Sequence, residues 1–244
     1  MGVGKRAIHC SYGSRVLAWF RIFLAAASVL FWHGWGGSWA AGEEPFAVRA
    51  VGPDGQAISL PAAPESIANL LKAGNVSFSF YDPAQQRRRY AGETKLDLRY
   101  DYRTTTRWEL HREGGSQIVT VRPRFHHISL SRRHTVLLPL RMVGEQFYSR
   151  PLVQHEMDHV RISTNPAFDK QFQRWLETEM RVIRLTLPSG QTLNNQWVQA
   201  QIKAATKQRF DRMLELIQIR YQELDRVTDH GMEPLPKEFF MHKS

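Results

Sequence analysis

Two histidines four residues apart, with an acid directly after the first, leave the backbone between them few choices. The run is His155-Glu156-Met157-Asp158-His159, a His-Glu-x-x-His pattern. On a helix, positions i and i+4 share a face, with Cβ atoms roughly 5–6 Å apart. Both imidazoles then reach a single Zn2+ at about 2.0–2.1 Å. Glu156 stands one position on, where a carboxylate can take a proton from a metal-activated water without binding the ion itself. Leu152 and Val153 before the run, and Val160 and Ile162 after it, are apolar at near-helical spacing, so the helix has a core side. The spacing predicts a helix over residues 149–163, with Pro151 in its first turn and Ser149 or Arg150 near its cap. The plain competing reading is a surface helix that carries two histidines and two acids.

Residues 1–40 read as an export signal peptide. Lys5, Arg6, Arg15 and Arg21 supply positive charge, no acid precedes Glu43, and the run from Ile22 to Trp32 is apolar. Ser38-Trp39-Ala40 is a small-x-small cleavage pattern. The apolar run is shorter than the roughly 20 residues of a membrane span. With Gly34 to Ala41 counted in, an uncleaved membrane anchor is the alternative. Either way the expected location is periplasmic or extracellular. Cys10, the only cysteine, lies in the charged part of the leader and not at a lipid-attachment position.

Cleavage after Ala40 leaves 204 residues, enough for one buried domain, and removes four basic residues and no acid, so the net charge falls from +10 to +6. A mature chain without cysteine has no disulfide, no thiolate ligand and no cysteine nucleophile. A metal site in it must use histidine and carboxylate, the composition of a catalytic rather than a structural zinc site. Arg87-Arg88-Arg89 and Arg132-Arg133 read first as solvated faces, and second as contacts for envelope polymers or a membrane surface. An exported chain with no nucleic-acid motif excludes nucleic acid as the expected partner.

The order of patterns predicts an α+β fold, an N-terminal antiparallel β-sheet followed by a helical part. Residues 41–75 form a linker, with a Pro53-Asp54-Gly55 turn and a short helix between Pro61 and Ala73 that Gly74-Asn75 ends. Residues 76–233 form a single domain. Val76, Phe78 and Phe80 alternate with serines, and Leu96, Leu98, Tyr100 and Tyr102 alternate with charged residues, the period-two pattern of half-buried strands. Glu113-Gly114-Gly115-Ser116 is a hairpin turn, and the return strand runs past Pro123. His126 and His127, adjacent on a strand, point to opposite faces and cannot chelate one metal as a strand pair. Asn165-Pro166 breaks the first helix, Phe168, Phe172, Trp175 and Val182 space a second helical segment, and a last helix spans residues 196–228. Its stripe of Phe210, Met213, Leu214, Ile217, Tyr221 and Leu224 reads as core. Residues 234–244 are expected to form a loose tail.

A catalytic zinc needs a third protein ligand. The position six residues after His159 is Asn165, so a His there is excluded. Glu177 and Glu179 on the next helical segment are candidates, as is His230 in Asp225-Arg226-Val227-Thr228-Asp229-His230-Gly231. The strands from Trp108 to Pro139, His155-Glu156-x-x-His159-Val160-x-Ile162 and Asp225-x-x-Thr228-x-His230-Gly231, in that order, resemble the bacterial "domain of unknown function 922" family of predicted secreted zinc-dependent proteases. The resemblance covers residues 76–233 and departs from the pattern at Leu224, Pro166 and Met232-Glu233-Pro234. It implies His155, His159 and His230 as metal ligands, Glu156 as general base, and Asp225 or Asp229 as a group that orients a ligand imidazole. Tyr221, one turn before Asp225, reads as core, with an oxyanion contact as the alternative.

The function expected is that of an exported zinc metallohydrolase, most simply a peptidase acting on peptide or protein substrates. The alternative from another class is a non-catalytic envelope-binding protein in which the histidines hold a structural metal or none.

Overall fold

The computed structural model describes residues 8–13, 48–88, 90–236 and 238–240, and of residues 8–13 only the strand they form. The leader's apolar run, its cleavage position after Ala40 and Arg89 lie outside the described residues. The fold is α+β. Its elements are β1 (Ile8–Gly13), β2 (Arg49–Val51), α1 (Glu65–Gly74), β3 (Val76–Tyr81), β4 (Glu93–Glu113) and β5 (Ser116–Pro139), then α2 (Pro151–Ser163), α3 (Pro166–Arg174), β6 (Ile183–Thr186) and α4 (Asn195–Val227).

β4 and β5 form one long antiparallel ribbon, paired from Glu113↔Ser116 to Glu93↔Leu137 with a one-residue shift between Asp101 and Arg103. Gly114 and Gly115 make its turn with φ of 56° and 83°, a conformation that costs a residue without Cβ little. The sheet is mixed, not antiparallel throughout: its order is β1-β4-β5-β3-β2, with β6 also on β5. β2 and β3 run parallel, and β3 runs parallel to the last residues of β5, from Val76↔His134 to Tyr81↔Pro139. The reason is α1. A helix between β2 and β3 carries the chain back to its starting edge, which makes neighbouring strands parallel; Asn75, left-handed at φ 46°, turns the chain from that helix straight into β3.

Two further expectations change. His126 and His127 do not face opposite sides, because the register slips between Asp101 and Arg103. His127, at φ 52°, belongs to the bulge, and both histidines are exposed. The extra residue resets the alternation that a regular strand would impose. The second helical segment is also shorter than predicted. α3 passes into a π-turn (Trp175–Glu179) that buries Trp175 and Leu176. The chain then becomes β6, paired with residues 118–121 of β5, and leaves Val182 48% exposed.

α2 sits between two apolar clusters. Val153, Met157 and Val160 face Phe78, Phe80, Val136, Leu138 and Phe147, while Ile162 belongs with Tyr100, Phe172, Leu176 and the buried stripe of α4. In that stripe Phe210, Met213, Ile217, Tyr221 and Leu224 are buried and Leu214 is half-buried. The helix starts are set by residues the sequence advertises: Pro151 and Pro166 open α2 and α3, and the side chains of Asn165 and Asn194 accept from the N–H groups of Ala167 (2.9 Å) and Trp197 (2.8 Å).

The basic runs are not simply solvated: Arg132 is mostly buried and paired with Asp169, and Arg88 pairs with Glu93 and lies over the Tyr81 ring. The expected loose tail is packed where it is described. Phe239 is buried, with the Arg220 guanidinium 4.6 Å from its ring centroid. Among the described residues, no helix is long and apolar enough to cross a membrane.

Candidate metal centre

α2 carries His155, Glu156 and His159 into the interior, all three buried. The i, i+4 spacing brings the two imidazoles together as predicted, with ring centroids 4.8 Å apart. What meets them comes from the last turn of α4. Asp225 Oδ1 lies 3.2 Å from His155 Nε2 and 3.0 Å from His159 Nε2. One ligand atom from each of His155, His159 and Asp225 lies within 4.8 Å of the others. This buried group can hold a metal ion.

The roles of the α4 residues differ from those expected. Asp225 touches the inward nitrogens of both histidines, so it belongs to the centre and does not orient an imidazole from behind. Thr228 does that instead. Its hydroxyl donates to Leu224 O at 2.7 Å, so it can only accept from His155 Nδ1 at 3.2 Å and Gly231 N at 3.3 Å. A proton on His155 is thereby assigned to Nδ1. Both Nε2 atoms approach the one Asp225 oxygen, an arrangement that a proton or a cation between them satisfies. The position of Asp225 favours positive charge. The C-terminal turn of a helix carries partial negative charge, which disfavours an anion there and favours a cation. Burial pushes the Asp225 carboxyl up, but the hydrogen bonds with His155 and His159 outweigh it and hold the group well below the usual carboxylate range.

His230 is not in the group of three. Its ring stacks on Tyr90 at 4.1 Å, its side chain is 41% exposed, and its Nδ1 stands 3.8 Å from Asp225 Oδ1. The chain reaches this position through three left-handed residues in succession, Asp229, His230 and Gly231, at φ 45°, 54° and 83°. Glycine is required at the third: a Cβ on Gly231 would lie 2.9 Å from Cβ and Cγ of His155. Asp229 is exposed and outside the centre. Glu177 and Glu179 are exposed on the π-turn, with Glu177 accepting from Gln173, and neither belongs to the group of three.

Glu156 points toward the start of β4. Its Oε2 accepts from the Thr94 hydroxyl at 2.6 Å. A Cβ on Gly92 would meet its Oε1 at 2.1 Å, so a larger residue there would displace the carboxylate. Burial pushes the Glu156 carboxyl up, while His159, Thr94 and His155 pull it back in part. Beside it, Gln86, Arg87, Arg88, Tyr90, Gly92 and Glu93 line an open cleft of about 360 Å³, a size usual for small-ligand and peptide side-chain sites. Tyr221 packs edge-on against His159, centroids 4.6 Å apart, and burial pushes its hydroxyl up to about 12, so it stays protonated at neutral pH.

Thr94, Gly92 and Tyr90 carry no local motif; their part appears only when the start of β4 is laid against α2. Thr228 stands inside a motif that the sequence does offer, and its hydroxyl at one turn from Asp225 is the signal for its role. No protein-family model, no curated protein and no solved structure matches this chain.

Proposed function

We propose that this chain is an exported zinc-dependent hydrolase, most simply a peptidase, with its centre at His155, His159 and Asp225 and its proton-transfer group at Glu156. The observation that carries the reading is the convergence of His155 Nε2 and His159 Nε2 on one Asp225 oxygen, with His155 Nδ1 held from behind by Thr228, in a group without cysteine. Histidine nitrogen with carboxylate oxygen is a donor set suited to zinc. A zinc ion supplies Lewis acidity there, polarising a carbonyl and making water acidic. His155, His159 and Asp225 would hold the ion, and His230 Nδ1 stands 3.8 Å from Asp225 Oδ1.

Everything else in the proposed chemistry belongs to the chain. Glu156, one position from a ligand and anchored by Thr94, accepts a proton from the attacking water and returns it to the leaving amine. Its raised pKa suits both halves of that exchange. The cleft beside Gly92 and Tyr90 admits the substrate segment. Glu156→Gln keeps size, burial and the acceptor for Thr94 but cannot take a proton. It is expected to bind zinc at wild-type stoichiometry and to lose at least ~100-fold in peptide turnover. Wild-type turnover in that variant would remove Glu156 from the mechanism.

A further inference from the structure

The outer face of the β4–β5 ribbon carries a second feature that the metal centre does not use. Arg107 stands directly opposite Arg122 in the ladder, and Thr105 directly opposite Arg124. Arg181, between the π-turn and β6, joins them around a groove of about 510 Å³ whose other lining residues, among those described, are uncharged. Like charges directly opposite each other on a sheet are destabilising, and a folding requirement alone would not select them. Acidic neighbours do not balance them. Arg122 has Glu109 at 3.4 Å, but Arg107, Arg124 and Arg181 have no ion-pair partner among the described residues. By contrast Arg99, further along the same face of β4, is paired with Asp97 at 2.6 Å.

All four cations are arginines. The guanidinium is a planar fork whose paired N–H groups match two oxygens of one phosphate, which a lysine ammonium cannot do. The Thr105 hydroxyl, in reach of His126 Nε2 at 3.3 Å, adds a polar group to the same wall. A multiply charged anion placed between Arg107 and Arg122 would neutralise the cross-strand pair and satisfy both forks.

We propose that the groove of Arg107, Arg122, Arg124 and Arg181 binds a ligand with two or more phosphate groups, independently of the metal centre. Three full-length chains test it: wild type, Arg107→Gln/Arg122→Gln, and Lys207→Gln/Arg226→Gln, which lowers the net charge equally from exposed positions on α4. Each is titrated calorimetrically with inorganic pyrophosphate. Each is also sedimented with vesicles of equal parts phosphatidylglycerol and phosphatidylcholine. Expected is one pyrophosphate per chain for wild type and control, and binding at least ~10-fold weaker in the groove variant. Vesicle binding without pyrophosphate binding, lost in the groove variant only, assigns the arginines to single-phosphate lipid headgroups and overturns the multi-phosphate ligand. Equal loss in the control, undiminished binding in the groove variant, or no binding of either probe to the wild type overturns the proposal.

Discussion

Two buried histidine centres lie at opposite ends of α2, and they differ in what they still need. At the C-terminal end, His134 of β5 is fully enclosed. Its Nδ1 donates to Gly74 O at 2.6 Å and its Nε2 lies 2.6 Å from the Ser163 hydroxyl. Both nitrogens are matched by neutral protein groups, and the ring joins α1, β5 and α2. Nearer the N-terminal end, His155 and His159 converge on a carboxylate, with His155 fixed from behind by Thr228 and His159 Nδ1 without a partner. Burial of a histidine therefore says little about metal. The partners of its nitrogens say more: the first centre is complete with neutral groups, and the second converges on a carboxylate and can hold a cation.

The strongest way to break the comparison is to remove one histidine from each centre. His159→Ala deletes a ligand and is expected to reduce zinc in the purified protein from near one per chain to a small residue, with the fold kept. His134→Ala strands Gly74 O and the Ser163 hydroxyl in the interior. It is expected to cost about 2–4 kcal/mol of stability while leaving zinc content unchanged. Metal analysis beside chemical denaturation reads both. Zinc lost from the His134 variant while it is still folded would erase the distinction.

A finer test concerns the group behind the ligand. Thr228→Val keeps the shape but removes the acceptor for His155 Nδ1. Losing such an orienting partner is expected to weaken zinc about 10–100-fold, read by competition with a chelator. Unchanged affinity would mean that the ring is held by packing alone.

The smallest effect is a dependence on pH. Burial, the largest influence, holds the His134 pKa below its ordinary value of 6.5, against the opposing bond to Gly74. The unfolded chain therefore takes up a proton near pH 6.5 that the folded chain refuses. Stability is full above that pH and falls as pH drops from 6.5 through the lower folded value. The difference in stability between wild type and His134→Gln is expected to shrink over that window, measured by thermal melts in zinc-free buffer. A constant difference down to pH 5 would show that His134 is not held neutral.

Much of this was legible in the sequence. The spacing of His155 and His159 fixed them to one face of a helix, Pro151 and Asn165-Pro166 marked its ends, and the Gly114-Gly115 turn and the α4 stripe needed no tertiary information. What stayed hidden depended on chain distant in sequence. The parallel pairing of β3 with β5 joins residues 76–81 to 134–139, and no local pattern records which edge a strand will choose. The residue that meets the two histidines stayed hidden for a related reason. His230 is the better ligand by chemistry, but the left-handed run Asp229-His230-Gly231 turns its ring onto Tyr90, while the helical phase of α4 aims Asp225 inward.

One feature of the fold acts over distance. β4 runs without interruption from Thr94, which holds Glu156, to Arg107 in the arginine groove. Thirteen steps at about 3.3 Å each separate the two by on the order of 40 Å. Paired with β5 on either side of the slip between Asp101 and Arg103, the ribbon joins the two places through one element. On the proposed roles of Glu156 and the groove, the reach from an anchored phosphate to the cleft would be set by strand length and not by a flexible tether.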